Sequence, residues 1–270
     1  LEVKMKILLT NDDGIYSPGL NKLAYKLKEE LGEVLVVAPD RERSGVSHSI
    51  TFIQPIRLFL LKDDKIKFYA TTGTPIDCIL LALYQLKFKP DVIVSGINRG
   101  ANLGEDIIYS GTTAAAREGA ILGFPGIAVS LDCYNEYPFF ETAIRVTLEF
   151  LKNICWQYFP HRVYFNINVP NLPWEKLTGV KLTYQGKRVY KNEIEEMKDP
   201  WGRPVYWITG APPKGILEEG SDLAAVSRGE VSITPLQLDY TDYKLLSNQV
   251  CKKLFISPRL GEWPIIEIQS

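Results

Sequence analysis

Lys6-Ile7-Leu8-Leu9-Thr10-Asn11-Asp12-Asp13-Gly14 opens the part of the chain that decides its fold. Its first five residues form a short apolar run that stops at turn-forming residues, which predicts a buried strand ending in a loop. From Pro18 to Leu31, apolar residues recur at Leu20, Leu23, Ala24, Leu27 and Leu31, the spacing of one helical face. Pro18 suits the first turn of that helix and Gly32 its end. Val34 to Ala38 is a second apolar run, broken by Pro39-Asp40. Strand, helix and strand in this order make the repeating unit of a parallel sheet, whose strands need a crossover connection.

The pattern continues outward. Ile56 to Leu61 and Ile66 to Ala70 flank Lys62-Asp63-Asp64-Lys65 and read as a hairpin. Thr74-Pro75-Ile76-Asp77 starts a helix, with Thr74 as the cap, Pro75 in the first position and Asp77 favouring the helix dipole. Asp91 to Ser95 reads as a strand running into the Gly/Asn-rich stretch Gly96 to Gly104. Thr112 to Leu122 and Glu141 to Phe150 read as helices, Gly126 to Leu131 and Val163 to Val169 as strands. This alternation predicts an α/β fold, a mostly parallel sheet with helices on both faces. After Pro170-Asn171-Leu172-Pro173 the texture changes. Residues 179 to 210 predict β-hairpins, Ser221 to Val226 a short helix and Glu230 to Pro235 a strand. The expected division is a catalytic domain over 5–173 and a smaller β-rich C-terminal portion over 174–270.

Composition limits the function. With 270 residues, 46% of them hydrophobic and 23% charged, the chain can bury a sizeable core. A net charge of −1 gives no drive toward nucleic acid polymers or anionic membranes, so neither is an expected partner. Any phosphate ligand must then be held by local devices: a metal, a helix N-terminus or backbone amides. Cys78, Cys133, Cys155 and Cys251 are scattered, and His48 and His161 are the two histidines, which argues against a Cys/His zinc site. Free thiols, no secretory leader pattern and no apolar run of transmembrane length make the cytoplasm the expected location.

Three polar clusters each follow an apolar strand: Asn11 to Gly14, Asp40 to Ser49, and Ser95 to Asn102. In open parallel sheets ligands collect beyond the carboxyl ends of the strands, so neighbouring strands would bring the clusters to one rim. Adjacent carboxylates at Asp12 and Asp13 repel, and a divalent cation such as Mg²⁺ or Mn²⁺ offsets that repulsion. A solvated Asp-Gly turn is the plainer alternative. An aspartyl-phosphate phosphatase would carry its nucleophilic carboxylate where this chain has Asn11, so attack by a metal-activated water is the better candidate. Ser44 and Asn98 offer further oxygens to a hard metal, and His48 can reach a phosphate or assist a leaving group. Asn11, Asp12 and His48 are therefore the candidate catalytic residues. Ser110-Gly111-Thr112-Thr113 precedes a helix and forms either an anion site or an ordinary cap. Neither a Walker Gly-Lys-Ser/Thr run nor a Gly-x-Gly-x-x-Gly fingerprint stands in the opening unit, which counts against kinases and dehydrogenases. Metal-assisted phosphomonoester hydrolysis leads, ahead of a nucleotide-binding regulatory protein and a transferase using the Asp pair.

Taken in order, the motifs resemble the SurE family of survival-protein nucleotidases. The resemblance runs through Thr10-Asn11-Asp12-Asp13-Gly14-Ile15, Ala38-Pro39-Asp40-Arg41-Glu42-Arg43-Ser44 and His48-Ser49-Ile50-Thr51. It continues through Gly73-Thr74-Pro75-x-Asp77-Cys78, Ser95-Gly96-Ile97-Asn98-Arg99-Gly100, Tyr109-Ser110-Gly111-Thr112 and Ile233-Thr234-Pro235-Leu236. It implies a Rossmann-like sheet, a C-terminal portion that takes part in subunit exchange, and a homodimer or homotetramer. It also implies hydrolysis of nucleoside 5′- and 3′-monophosphates, in some members of polyphosphate, with one divalent cation per subunit held by Asp12, Asp13, Ser44 and Asn98. Substrate phosphate would lie near Ser110, Gly111 and Thr112. Gln237 stands where some relatives carry His.

Overall fold

The computed structural model describes residues 4–134 and 137–247. β1 (Met5–Thr10), α1 (Pro18–Glu30) and β2 (Gly32–Pro39) form the expected opening unit, with β1 and β2 parallel. β3 (Leu58–Asp63) and β4 (Lys67–Thr71) make the hairpin, β4 lying parallel to β2. Then come α2 (Pro75–Leu80), β5 (Val92–Arg99), α3 (Asp106–Tyr109), α4 (Gly111–Ile121), β6 (Gly126–Asp132), α5 (Phe140–Asn153) and β7 (Val163–Pro170). The short helix α3 has no counterpart in the sequence reading, because four residues are too few for a periodic pattern.

Nine strands form one sheet in the order β3-β4-β2-β1-β5-β6-β7-β11-β8, with β8 at Gly179–Leu182 and β11 at Glu230–Gln237. From β4 through β7 every pairing is parallel. β11 runs antiparallel to β7 and β8 parallel to β11, so part of the chain beyond residue 173 extends this same sheet. β9 (Lys187–Lys198) and β10 (Pro204–Ile216) form a separate two-stranded ribbon, and α6 (Asp222–Ser227) precedes β11. Residues up to Leu238 form one compact unit. A second begins at Asp239 and contains α7 (Tyr243–Ser247); Cys251 lies outside the described residues.

The apolar spacing seen in the sequence is what packs the sheet. Leu20, Leu23, Ala24 and Leu27 of α1 are fully buried against Ile7 and Leu9 of β1, in a cluster that also takes Ile144 and Leu148 of α5. On the other face, Leu8, Val37 and Ile93 pack with Cys78, Ile79 and Ala115 of α2 and α4. Burying each of these Leu, Ile and Val side chains contributes about 1.5–3 kcal/mol, so the layers are held by the same residues that define them in sequence. Among the described residues, Cys78, Cys133 and Cys155 form no disulfide, and no helix is long and apolar enough to cross a membrane.

Candidate active site

β2 lies on one side of β1 and β5 on the other, so the chain reverses its direction of travel across the sheet at the β1–β5 pair. Such a switch point opens a crevice beyond the carboxyl ends of its strands. Thr10 pairs with Ser95, which sets Asn11-Asp12-Asp13 beside Gly96-Ile97-Asn98. Asp13 Oδ2 accepts a hydrogen bond from the Arg99 backbone N–H at 3.1 Å, closing the two loops together.

A bulge aims Asn98. The β5–β6 register shifts between Ser95 and Asn98, where Gly96 and Ile97 stand out of the ladder, and pairing resumes with Asn98 opposite Ser130. Gly96 has φ +138°, and a Cβ there would lie 2.3 Å from the Val129 carbonyl oxygen, so only glycine fits. Asn98 Nδ2 donates to the Gly100 carbonyl at 2.8 Å, while its Oδ1 lies 3.5 Å from the Thr112 hydroxyl.

Asp12 is 4% exposed and sits against the first turn of α4. Its Oδ2 accepts from the Thr112 amide at 3.0 Å, and its Oδ1 accepts from the Thr112 hydroxyl. A Cβ on Gly111 would come within 2.9 Å of Asp12 Cβ, so the glycine permits this approach. Ser110 caps the helix, its Oγ accepting from the Thr113 amide at 3.1 Å. The turn is an ordinary cap, and the group set against its first amide is the carboxyl of the chain's own Asp12.

Burial pushes the Asp12 carboxyl up, against the hydrogen bonds from Thr112 that favour its charged form. Burial also raises the Asp13 carboxyl to about 7, with the neighbouring Asp12 charge adding to the shift. Two carboxylates raised in this way form a site that a cation would stabilise. Asn11 adds a buried Oδ1 with no hydrogen-bond partner, its Nδ2 being spent on the Gly14 carbonyl at 3.0 Å. A hard cation fits this all-oxygen donor set. Among the described residues, no group of three or more His, Cys, Asp or Glu is placed to hold a metal. The expected set has only two carboxylates, so its remaining oxygens would come from Ser44, Asn98 and water.

The loop from Asp40 to Thr51 is tied down along its length. The Arg43 amide donates to the Asp12 carbonyl at 2.7 Å, so the residue just before Ser44 is tied to the backbone of the Asp12 loop. Ser44 Oγ itself donates to Glu42 Oε1 at 2.7 Å. The Ser47 amide reaches the Tyr109 carbonyl at 2.9 Å. Thr51 donates its amide and hydroxyl to Asp77, which also closes a capping box with Thr74. His48 Nδ1 accepts from Arg117 Nε at 2.9 Å, which leaves Nε2 protonated and donating to the buried Glu118 at 2.8 Å. Both ring nitrogens of His48 are engaged with α4 in this arrangement.

Several supporting residues escaped the sequence reading. Asn102 is held by Asn166, Asn168 and Ser130, all fully buried. Polar residues alternating with apolar ones inside otherwise apolar strands were the available signal, because such groups are buried only with partners. Asp222 accepts from the Gly104 and Gly186 amides, and Arg188 pairs with Asp106 at 2.9 Å, joining the base of the ribbon to the Asn98 loop. Gln237 pairs with Val163 at the amino end of β7, on the opposite edge of the sheet from Asp12 and Asn98.

The Thr112 contact gives a first prediction. Thr112→Val, which keeps shape and loses the hydroxyl, is expected to lower whatever turnover Asp12 supports about 10–100-fold, the range for a hydrogen bond to a charged group. Thr112→Ser should recover most of it. Equal rates for all three proteins would show that the hydroxyl does not orient Asp12.

The family model described as "Survival protein SurE" matches residues 7–192. A curated relative from Aquifex aeolicus (strain VF5), "5'-nucleotidase SurE", is 46% identical over 244 residues, covering 89% of this chain and 95% of its own. A protein of the same description from Legionella pneumophila (strain Philadelphia 1) is 44% identical over 256 residues, covering 92% of this chain and 99% of its own. Among solved structures, the Aquifex aeolicus protein titled "Crystal Structure of Sure Protein from Aquifex aeolicus" superposes with TM-score 0.77 at 44% identity, covering 92% of this chain and 99% of that one.

Proposed function

The chain belongs to the SurE family, and from that premise we propose that it is a nucleotidase hydrolysing nucleoside 5′- and 3′-monophosphates with the help of one divalent cation. The observation that carries this reading is the pair of a buried Asp12 and a half-buried Asp13 at the switch point, with Asn98 nearby and the first turn of α4 against Asp12. Asp12, Asp13, Ser44 and Asn98 are the proposed cation ligands. Bound there, Mg²⁺ or Mn²⁺ would draw charge from a phosphoryl oxygen and make a water more acidic.

The chain's own groups supply the rest. Thr112 holds the Asp12 carboxylate in one orientation and leaves lone pairs on both oxygens for the cation and the attacking water. Asp12 is the proposed acceptor of that water's proton. The hydroxyl of Ser110 accepts in the helix cap, which leaves its hydrogen for a phosphate oxygen, and Gly111 and Thr112 complete the proposed phosphate cradle. Asn11 braces the turn at Gly14, and His48, released from Glu118, would serve the leaving group. Polyphosphate presents the same terminal phosphate chemistry and is a further proposed substrate. The portion from residue 174 onward is proposed to carry subunit exchange in a homodimer or homotetramer. Its ribbon exposes Ile194, Met197, Trp207 and Ile208, apolar side chains that association would cover.

The test is a panel of AMP, GMP and p-nitrophenyl phosphate assayed with Mg²⁺, with Mn²⁺ and with EDTA. Turnover is expected with metal and absent with EDTA; turnover surviving full chelation would refute the cation's role. Nucleotide binding with turnover near background would favour the regulatory reading instead.

The cation should also reverse the pH dependence of stability. Asp13 titrates near 7 in the folded chain against 3.8 for an ordinary aspartate, so the folded state holds a proton that the unfolded state has released. Its contribution to stability is therefore full below about 3.8 and lost as pH rises through about 7. Metal-free protein should melt lower at pH 8 than at pH 5.5 through this group. Cation affinity should fall about tenfold per pH unit below 7, because binding displaces the proton. Calorimetric titration with Mn²⁺ at pH 6 and 8 checks this, and equal affinities would contradict it.

A further inference from the structure

α3 is four residues long, too short to hold its own shape in water, so its neighbours set where it lies. What it carries matters to the site. Ser110 both ends α3 and caps α4, its amide donating to the Asp106 carbonyl at 3.0 Å. The Thr113 hydroxyl donates to the Ile107 carbonyl at 2.7 Å. The turn that offers the Thr112 amide and hydroxyl to Asp12 is therefore built on α3. α3 in turn is held from the ribbon. Arg188, the second residue of β9, sets Nη1 2.9 Å from Asp106 Oδ2, and its backbone N–H donates to Glu105 Oε2. The Arg188 and Asp106 side chains are 9% and 18% exposed, so the pair is withdrawn from water. Burial raises the Asp106 carboxyl to about 6 against the pull of Arg188. Gly104 is gripped as well. Its amide donates to Asp222 at 2.9 Å, its carbonyl accepts from Gln185 at 3.1 Å, and a Cβ there would lie 3.3 Å from Arg188 Cγ.

We propose that Arg188 is a positioning residue for hydrolysis: through Asp106 it fixes α3, and through α3 the Ser110–Thr112 turn that orients Asp12. Its kinetic test rests on the nucleotidase reading above. A guanidinium suits the task because its planar fork spans two partners. The Tyr134 phenol also meets Arg188, and the Tyr134 ring would lie 3.3 Å from a Cβ on Gly100, in the Asn98 loop. One side chain thus ties both loops of the site to the base of the ribbon. The pair acts by direction more than by energy. A buried ion pair adds little net stability, but removing one partner leaves a buried charge that must move or take a proton. Loss of Arg188 therefore frees α3 to shift, and the Thr112 groups shift with it.

The experiment is a double-mutant cycle on AMP hydrolysis in Mn²⁺-loaded protein, with Arg188→Met, Thr112→Val and the two combined. Arg188→Met is expected to lower kcat about tenfold alone but only about twofold in the Thr112→Val background, because both changes loosen the same hold on Asp12. Arg188→Lys restores a cation opposite Asp106 and should return kcat to within about threefold of wild type. Asp106→Asn spares the packing of Arg188 on Gly104 and should lose kcat in the same non-additive way. Hydrogen exchange supplies a readout without turnover. Arg188→Met should speed exchange of the Thr112 and Thr113 amides about fivefold or more, while the amides of α1 keep wild-type rates. Additive losses in the cycle, or unchanged exchange in that turn, would overturn the proposal. Faster exchange in α1 as well would reduce Arg188 to a part in general stability and overturn it too. Wild-type protein without AMP turnover would bring down the nucleotidase reading alone, and the exchange comparison would still decide whether Arg188 fixes the turn.

Discussion

Asp12→Asn is expected to lower kcat about 10³-fold while the protein keeps its fold, an effect in the range of a lost general base. The loss follows from geometry. Asp12 is the carboxylate at the β1–β5 crevice that α4 orients, through the Thr112 amide and hydroxyl. Asparagine keeps an acceptor for the amide and presents an N–H₂ that the threonine hydroxyl can accept, so the hydrogen bonds survive. What disappears is the negative charge and the ability to take a proton. Stability should hold or rise slightly in metal-free protein above neutral pH. Burial pushes the native carboxyl up, so its charged form is a burden there that the amide does not carry. Circular dichroism and thermal melting alongside the AMP assay separate the two effects. A variant with near-wild-type turnover would remove Asp12 from the chemistry altogether.

Gly96→Ala should be the most damaging single-methyl change in the catalytic region. The added carbon would stand 2.3 Å from the Val129 carbonyl oxygen, and that oxygen belongs to β6 in the middle of the sheet. Moving it means breaking ladder pairing on both sides, since β6 is flanked by β5 and β7. The backbone angle of φ +138° adds strain for any residue with a side chain. A cost of about 4 kcal/mol or more is expected, and at this chain length that lowers Tm by roughly 10 °C. Whatever folds should also be slow, because the bulge that Gly96 makes is what presents Asn98. Melting curves and the AMP assay on the same preparation test both. A Tm within a degree or two of wild type would show that β6 yields easily at Val129.

These two residues also show where the sequence was sufficient. The carboxylate pair at Asp12 and Asp13 stands after the first apolar run, and its place at the end of β1 needed only the rule that loops follow strands. The helical spacing of Leu20, Leu23, Ala24 and Leu27 foretold a buried face, and those four residues are buried. The turn at Ser110 was legible as a helix start because capping is a local matter of one hydroxyl and one amide three residues on. By contrast, residues 179–210 read as hairpins, whereas Gly179–Leu182 pairs with β11 in the main sheet. Strand character is local, but partner choice is settled by packing over long sequence separations, so composition showed strands without showing whose neighbours they are.

The sequence by itself determined the alternation of strands and helices, the apolar faces that join them, and three polar loops at strand ends, because periodicity and turn chemistry act over a few residues. Only the tertiary structure decided that α4 directs its first amides at Asp12, that His48 spends both nitrogens on Arg117 and Glu118, and that Asn102 rests on Asn166 and Asn168. Each of these contacts spans more than sixty residues. A hydrogen bond depends on distances of a few ångströms, and those are fixed by how the sheet orders its strands rather than by any residue's neighbours in the chain.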